Sequence, residues 1–224
     1  MNTDIENLSE DLKKEFLEFL FDAGVLKFGD FTLKSGRKSP YFFNMGVVDS
    51  GVTLVNLGIF YARAIHDNFG VVDNIFGPAY KGISLAAAAA IGFALEYEEE
   101  VSFCFDRKEE KTHGDKGKIV GASPQPGDRI VIVDDVMTTG GTKYEAVELL
   151  RSFEGVEIAG LVIGMNRREK TEDGSDAMQR FQQETGVEAF AIADVYDVLD
   201  FLKDKNFDKS LIQKMEEYIS EYGI

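Results

Sequence analysis

The sequence is short of residues on which several classes of protein depend. It has one cysteine, Cys104, and two histidines among its 224 residues, which excludes an internal disulfide and a multi-thiolate metal site. The longest mainly apolar stretch, residues 83–95, is too short to cross ~30 Å of hydrocarbon as a helix. The chain starts without a basic and apolar segment typical of secretion signals. We therefore expect a cytoplasmic protein without a transmembrane segment.

Positive charge is also scarce. Lysine and arginine together number 24 against 40 acidic residues, a net charge of −16. Such a charge repels polyanions, so we expect no general binding to nucleic acid or to an anionic membrane. A phosphate-binding region must then stand out locally against this average. With 44% hydrophobic residues, the chain has enough apolar surface for a core, which excludes wholesale disorder.

Strand and helix patterns alternate along most of the chain. An amphipathic first helix carries Leu12, Phe16, Phe19 and Leu20, with Ser9 as its N-cap and Gly24 after its end. Strands are predicted at 31–33 and 41–44, which form a hairpin, and at 71–76, 101–105, 129–133, 157–165 and 189–192. Further helices are predicted at 52–69, after Pro78, and at 144–153, 176–185, 195–202 and 209–222.

This alternation predicts an α/β fold, namely a doubly wound, mainly parallel central sheet flanked by helices. The first helix and the hairpin would form a small N-terminal hood. We expect one domain over residues 1–224, with the hood at about 1–48 and the core at about 49–224.

The most informative segment, residues 130–142, reads IVIVDDVMTTGGT. A buried strand ends in Asp134 and Asp135 and turns through hydroxyl residues and glycines into a helix, whose N-terminus suits phosphate. Carboxylates repel phosphate, so we expect a ligand that also presents hydroxyls or a hard cation, as a ribose 5-phosphate does. The alternative is an acidic strand end before an ordinary capped helix. The sequence lacks the P-loop and dinucleotide-binding motifs, so neither accounts for this loop.

Four segments together carry a family resemblance. Residues 134–142 resemble the signature of type I phosphoribosyltransferases, which bind phosphoribosyl pyrophosphate. Residues 31–44, 76–82 and 107–114 are similar to segments of bacterial orotate phosphoribosyltransferases and occur in the expected order. The resemblance implies a Mg²⁺-dependent enzyme that transfers the ribosyl 5-phosphate group from phosphoribosyl pyrophosphate to N1 of orotate. The products would be orotidine 5′-monophosphate and pyrophosphate, in the biosynthesis of UMP.

The resemblance also implies which residues bind phosphoribosyl pyrophosphate. They are Lys34, Tyr80, Lys81, Arg107, Lys108, Lys111, His113, Asp134, Asp135, Val136, Met137, Thr138, Thr139, Gly140, Gly141 and Thr142. The implied catalytic residues among them are Lys108, Lys111, His113, Asp134 and Asp135. Outside this context, a lysine that opens a helix, as Lys81 does, is more often exposed than bound to a ligand.

The polar segment 107–118 reverses the charge of the chain locally, because its basic residues outnumber its acidic ones. The resemblance implies a mobile lid that closes over the pyrophosphate and reaches the active site of the other subunit in a homodimer. Either Lys111 or His113 could then protonate the leaving pyrophosphate. The alternative is a charged surface loop.

For orotate, the resemblance implies contacts with Lys34, Phe42, Phe43, Thr138 and Arg167. The planar fork of arginine suits a carboxylate such as that of orotate. Because successive side chains of a strand point to opposite faces, one of the two phenylalanines is expected in the hairpin core instead. The neighbouring Arg37 and Lys38 are either ligands or solvated turn charges.

No direct metal ligand is assigned. Mg²⁺ is expected to be held mainly by the substrate, with Asp134 or Asp135 in contact through water, while the two aspartates hold either the ribose hydroxyls or the hydrated ion. The sequence departs from the enterobacterial family pattern at two positions. Asn166 stands where an aspartate often precedes the arginine, and Gly141 replaces a hydroxyl residue, which Thr142 offsets.

Two other functions remain open at this point. One is a phosphoribosyltransferase that acts on a purine or uracil. Arg167 and Lys34 make this function less favoured, because they suit a base with a carboxylate. The other is a regulator that senses phosphoribosyl pyrophosphate without catalysis. A regulator would typically need a nucleic-acid-binding surface, and the sequence has no basic segment outside the site that would supply one.

Overall fold

The computed structural model of the chain describes residues 10–33, 36–108, 118–137, 141–171 and 174–224. These residues form a two-stranded hairpin and a six-stranded sheet whose order is β5-β4-β3-β6-β7-β8. All neighbours in the larger sheet are parallel except β4 and β5. The strands are β1 (Leu26–Thr32), β2 (Lys38–Phe43), β3 (Asn74–Phe76), β4 (Ser102–Asp106), β5 (Ile119–Gly121), β6 (Arg129–Val136), β7 (Glu157–Asn166) and β8 (Ala189–Asp194). The predicted fold class is confirmed.

The helices cover both faces of the sheet, and several begin at the residue types that favour helix starts. They are α1 (Glu10–Asp22), α2 (Gly51–Phe69), α3 (Lys81–Glu96), α4 (Gly141–Arg151), α5 (Ala177–Thr185), α6 (Val195–Asp204) and α7 (Lys209–Tyr222). Side chains of Ser50, Asp176, Asp194 and Asp208 accept hydrogen bonds from first-turn N–H groups. In the described part of the chain, no helix is both long enough and apolar enough to traverse a bilayer.

The alternation of side chains along β6 separates two hydrophobic cores. Val131 and Val133 belong to the core shared with the hairpin and α1, α2, α3, α6 and α7. Ile130 and Ile132 belong to the core under α4 and α5. A strand buried on both faces reads as an uninterrupted apolar run, as the sequence of β6 does until Asp134. The first polar side chains of β6 after this run therefore come at its carboxyl end.

Besides shifts of one to three residues at the ends of other elements, the structure differs from the predicted elements in the hairpin, β3, β5 and β6. The hairpin strands are longer than predicted, and β1 contains a register shift between Phe28 and Phe31. Strand β3 starts at Asn74 rather than at residue 71, since Val71 is exposed. Strand β5 was not predicted, because its three residues are too few to show a pattern. Strand β6 runs on to Val136, so the acidic pair lies within the strand. The predicted N-cap Ser9 lies outside the described residues.

Helices α2 and α3 touch through their backbones. A Cβ atom on Gly58 would lie 2.0 Å from the carbonyl oxygen of Ala88, and one on Gly92 would lie 2.4 Å from the carbonyl oxygen of Gly58. No side chain fits at such separations unless the helices move apart. This contact fixes α3, and with it the loop before α3, relative to the rest of the core.

Gly58→Ala should therefore destabilise the protein, although alanine normally favours a helix. Overpacking of this kind typically costs about 1–3 kcal/mol in the free energy of unfolding, which urea denaturation would measure. Gly51→Ala is the matched control, because a Cβ there meets nothing within 4 Å, and its stability should be unchanged or slightly higher. Equal stability of both variants would show that α2 and α3 are not in tight contact.

Candidate active site

The acidic pair at the end of β6 is buried, and each carboxylate already has a basic partner. One oxygen of each accepts a local N–H: Asp135 N donates to Asp134 Oδ1 and Val136 N to Asp135 Oδ1, both at 2.9 Å. The other oxygen of Asp134 pairs with Lys143 of α4, and that of Asp135 pairs with Lys81 of α3. The two aspartates thus form separate ion pairs with different helices.

The Asp134–Lys143 pair is the more deeply buried of the two, since both side chains are less than 10% exposed. Burial raises the pKa of Asp134 above its ordinary value, and the charge and hydrogen bond of Lys143 oppose that rise. Lys143 is not among the site residues predicted from the sequence. Its position was a usable signal, because a cation in the first turn of a helix faces the positive end of the helix dipole and needs an anionic partner.

The predicted second anion loop lies between β3 and α3. The side chain of Asp106, at the end of β4, accepts a hydrogen bond from the N–H of Ala79 at 2.5 Å and ties the loop to the sheet. Tyr80 is 76% exposed and makes no side-chain cap for α3. The N–H groups of Gly82 and Ile83 donate to backbone carbonyl oxygens, but no N-cap side chain competes with an anion at this helix start. Lys81 reaches from this helix start to Asp135.

The segment predicted as a lid is closed at its base by the antiparallel pairing of β4 with β5. Arg107 N donates to the carbonyl oxygen of Lys118 at 2.8 Å. Lys108 Nζ lies 3.7 Å from Asp106 and 3.8 Å from Glu145 of α4. The Nε of Arg107 is buried and has no hydrogen-bond partner among the described residues. Residues 109–117, including the predicted Lys111 and His113, lie outside the described residues.

The signature loop is described only at its two ends. Val136 is half-buried and Met137 is buried, whereas Gly141 and Thr142 are exposed at the start of α4. The predicted Thr138, Thr139 and Gly140 lie outside the described residues. Among the described residues, no group of three or more histidine, cysteine, aspartate or glutamate side chains is arranged to hold a metal ion.

The hairpin places its two phenylalanines differently, as strand alternation predicts. Phe43 packs against the hydrophobic core, whereas Phe42 stacks on Phe31 with ring centroids 5.4 Å apart. Lys38 is exposed and donates to Thr32. The predicted Lys34 lies outside the described residues.

Arg167 follows β7, the neighbour of β6, and the register pairs Val136 with Met165. It therefore lies at the same edge of the sheet as the acidic pair. Its guanidinium carbon is 4.3 Å from the centroid of the Tyr41 ring, and its Nε donates to Glu169 at 2.8 Å. Burial lowers the pKa of Arg167, but the charge and hydrogen bond of the Glu169 carboxylate oppose that lowering, and the pKa is raised overall. Arg167 is thus a buried, fixed cation.

Two partners of Arg167 were not singled out from the sequence. Glu169 lies two residues further along the chain, and Tyr218 comes from α7 and receives a hydrogen bond from Arg167 at 3.2 Å. Arg37 is not merely a solvated turn charge, because it pairs with Glu169 at 3.0 Å. The spacing of Arg167 and Glu169 is a weak signal for an ion pair, and nothing local in the sequence pointed to Tyr218.

Comparisons with known proteins agree with these features. The family model described as "Phosphoribosyl transferase domain" matches residues 47–199. The chain is similar to the orotate phosphoribosyltransferase of Lachnoclostridium phytofermentans, with 40% identity over 96% of this chain and 99% of that protein. The orotate phosphoribosyltransferase of Pseudomonas fluorescens is 43% identical over 95% of this chain and 98% of that protein. The crystal structure of the Francisella tularensis orotate phosphoribosyltransferase superimposes with a TM-score of 0.82 at 37% identity and covers 94% of this chain and all of that one.

Lys143→Met should destabilise the protein by roughly 3 kcal/mol or more, since it leaves Asp134 buried without its partner. Without Lys143, the pKa of Asp134 rises further. As the pH falls through this raised pKa, Asp134 becomes protonated, and the free-energy cost of its buried charge disappears. The gap in stability between parent and variant should therefore narrow from pH 7 towards pH 5, as thermal unfolding would show. Lys203→Met, which removes an exposed pair with Glu216, is the control and should stay close to the parent. A gap that does not depend on pH would contradict a charged Asp134 in the variant.

Proposed function

Because the chain belongs to the orotate phosphoribosyltransferase family, we propose a role in this reaction for each part of its site. The enzyme transfers the ribosyl 5-phosphate group of phosphoribosyl pyrophosphate to N1 of orotate, which yields orotidine 5′-monophosphate and pyrophosphate in pyrimidine biosynthesis. One observation carries the proposal for the site. The buried Arg167 lies at the same sheet edge as Asp134 and Asp135, beside the start of α4.

Phosphoribosyl pyrophosphate binds along this edge. The signature loop, residues 134–142, and the N-terminus of α4 hold the 5-phosphate, and the exposed Gly141 and Thr142 support this role. The start of α3 with Tyr80 and Lys81 holds the pyrophosphate, which the absence of a Tyr80 side-chain cap supports. Asp134 and Asp135 hold the ribose hydroxyls or the hydrated metal ion.

Orotate binds between the hairpin and Arg167. The guanidinium donates hydrogen bonds to the carboxylate of the base. Lys34, Phe42 and Thr138 complete the site, while Phe43 packs against the core on the other face of the strand. The stacking of Arg167 on Tyr41 supports this role, because Tyr41 belongs to the same hairpin strand as both phenylalanines. The hood, about residues 1–48, thus contributes the base site within a single domain over residues 1–224.

The reaction separates charge, so stabilisation of charge is the main task of the site. Positive charge grows on the ribose ring, where the carboxylates of Asp134 and Asp135 stabilise it. Negative charge grows on the departing pyrophosphate, which Lys81, Lys108, Lys111 and His113 neutralise. Arg107, whose buried Nε has no partner in the described part of the chain, adds a further donor there. Either Lys111 or His113 donates the proton to pyrophosphate.

The carboxylates at the end of β6 suit Mg²⁺. This ion usually binds through one or two carboxylates together with substrate phosphates, and Asp134 and Asp135 supply that donor set. We propose that the substrate holds the ion mainly through its pyrophosphate and hydroxyls, with Asp134 or Asp135 in contact through water. There the ion would neutralise negative charge on the leaving pyrophosphate.

The enzyme acts as a cytoplasmic homodimer in which the lid, residues 107–118, crosses to the partner subunit. Exposed apolar side chains on α3 and β4 support an interface, since Ile91, Leu95 and Phe103 are 47%, 59% and 37% exposed. Lys108, near the start of the segment 107–118, lies beside α4, because its Nζ is 3.8 Å from Glu145.

Release of pyrophosphate from phosphoribosyl pyrophosphate tests the reaction directly. We expect release with orotate and Mg²⁺, and little release with uracil or hypoxanthine, because only orotate presents a carboxylate to Arg167. A chelator should abolish the release. Equal rates with all three bases would overturn the choice of orotate, and binding of phosphoribosyl pyrophosphate without turnover would indicate a sensor.

Mixed dimers test the lid. Lys111→Ala and Arg167→Met should each be nearly inactive alone, the first through turnover and the second through orotate affinity. When the two are co-expressed, a lid that crosses the dimer restores one site in each mixed pair, because that site combines an intact Arg167 with the partner's intact lid. The measurement is activity of the purified mixed dimer against each parent variant. No recovery would show that the lid acts on its own subunit.

A further inference from the structure

A single carboxylate, Glu169, lies between two guanidinium groups. Its Oε1 accepts from Nε of Arg167 at 2.8 Å and lies 2.6 Å from Nη2 of the same side chain. Its Oε2 accepts from Nη1 of Arg37 at 3.0 Å. The three side chains carry a net charge of +1, so Glu169 does not cancel the attraction of this cluster for an anion.

Tyr218 completes the contacts of this cluster. Its hydroxyl donates to Glu169 Oε1 at 2.5 Å and accepts from Nη2 of Arg167 at 3.2 Å. Burial raises the pKa of Tyr218, and its hydrogen bond to Glu169 raises it further, so the phenol keeps the proton that it donates. The ring of Tyr41 lies against the guanidinium and meets Tyr218 edge-on, with centroids 6.0 Å apart. The Tyr41 ring therefore fixes the plane of the Arg167 guanidinium, and Glu169 and Tyr218 hold its Nε and Nη2 side.

The donors of Arg167 are only partly used. A guanidinium has five N–H donors. Nε and Nη2 donate to Glu169, and Nη2 is also within reach of Tyr218 and of Ser39 Oγ at 3.4 Å. For Nη1, no hydrogen-bond partner occurs among the described residues. Nη1 thus remains available to donate to a carboxylate, and a charge-assisted hydrogen bond of this kind is stronger than one between neutral groups.

We propose that Glu169 and Tyr218 are positioning residues that hold Arg167 ready for the carboxylate of the base substrate. The proposal rests on the proposed function of Arg167 and deepens it, because it makes α7 part of the base site. An unsupported arginine loses much rotational freedom when it binds, and a side chain already fixed by its neighbours avoids that loss. Arg37 contributes by offsetting the negative charge that Glu169 brings close to an anionic substrate.

Tyr218→Phe tests the role of the hydroxyl while its ring still packs on Tyr41. We expect the KM for orotate to rise roughly tenfold, the effect of one lost hydrogen bond to a charged group. The kcat and the KM for phosphoribosyl pyrophosphate should stay within about twofold of the parent. Tyr222→Phe is the matched control, since Tyr222 lies on the same helix and its ring contacts that of Tyr218, with centroids 5.1 Å apart, without bonding to Arg167. Its kinetic constants should not change. An unchanged KM for orotate in Tyr218→Phe would overturn the proposal.

The same change in an Arg167→Met background separates this inference from the proposed function. Arg167→Met alone should raise the KM for orotate, and Tyr218→Phe should add nothing further, because it acts through Arg167. If Arg167→Met leaves orotate affinity unchanged, the proposed role of Arg167 fails. If Arg167→Met weakens orotate but Tyr218→Phe does not, only the positioning role fails. Independent and additive effects would also overturn it, since Tyr218 would then act without Arg167.

Glu169→Gln removes the charge but keeps the size of the side chain. A rise in the KM for orotate, with the melting temperature near that of the parent, supports positioning. An unchanged KM for orotate would overturn the role of Glu169, because its charge would then have no effect on Arg167. A lower KM would also overturn it, because it would show that Glu169 competes with the substrate carboxylate. Glu217→Gln, on the exposed side of α7 where Glu217 accepts from Gln213, is the charge-matched control and should behave as the parent.

Discussion

The site has to attract two anions inside a chain whose own net charge is −16, and this constraint accounts for most of its side-chain arrangement. In the described part of the chain, the buried Asp134 and Asp135 and the half-buried Glu169 are each paired with a cation. Asp134 pairs with Lys143, Asp135 with Lys81, and Glu169 with two arginines. Each acid is thereby neutralised at short range, where screening by solvent is weak. The acidic groups of the proposed ribose site can then coexist with the groups proposed to bind phosphate and carboxylate.

Topology brings these charges together. Lys81 follows β3, the aspartates end β6 and Arg167 follows β7, and these three strands are parallel neighbours in the sheet. Carboxyl ends of parallel strands meet at one edge, so side chains far apart in sequence become neighbours there. The hairpin and α7 pack on the same hydrophobic core and approach this edge from one side. The proposed base site thus draws on the hood and on α7, whereas the loops proposed to bind phosphate follow strands of the sheet.

The sequence predicted the parts of this arrangement that local patterns encode. The alternation of strands and helices, the acidic end of β6 and the helix start at Lys81 all depend on residues close together in the chain. Lys143, Glu169 and Tyr218 were missed because their roles arise from tertiary contacts. Tyr218 and Glu169 are 49 positions apart, and Ser39 and Arg167 are 128 apart. Strand β5 was missed for another reason, since an edge strand of three residues is defined by its pairing with β4 rather than by its own composition.

The backbone contact between α2 and α3 limits how the enzyme can adapt to its substrates. Because Gly58 leaves no gap beneath Ala88, the helix that carries Lys81 cannot tilt or slide when pyrophosphate arrives or departs. The floor of the cleft is consequently rigid, and its shape is set before any ligand enters. Shielding of the reacting atoms from water is then left to parts of the chain outside this packed core, the role that we propose for the lid, residues 107–118. Under that proposal, turnover depends on how fast the lid opens, and a more flexible core would bring no gain.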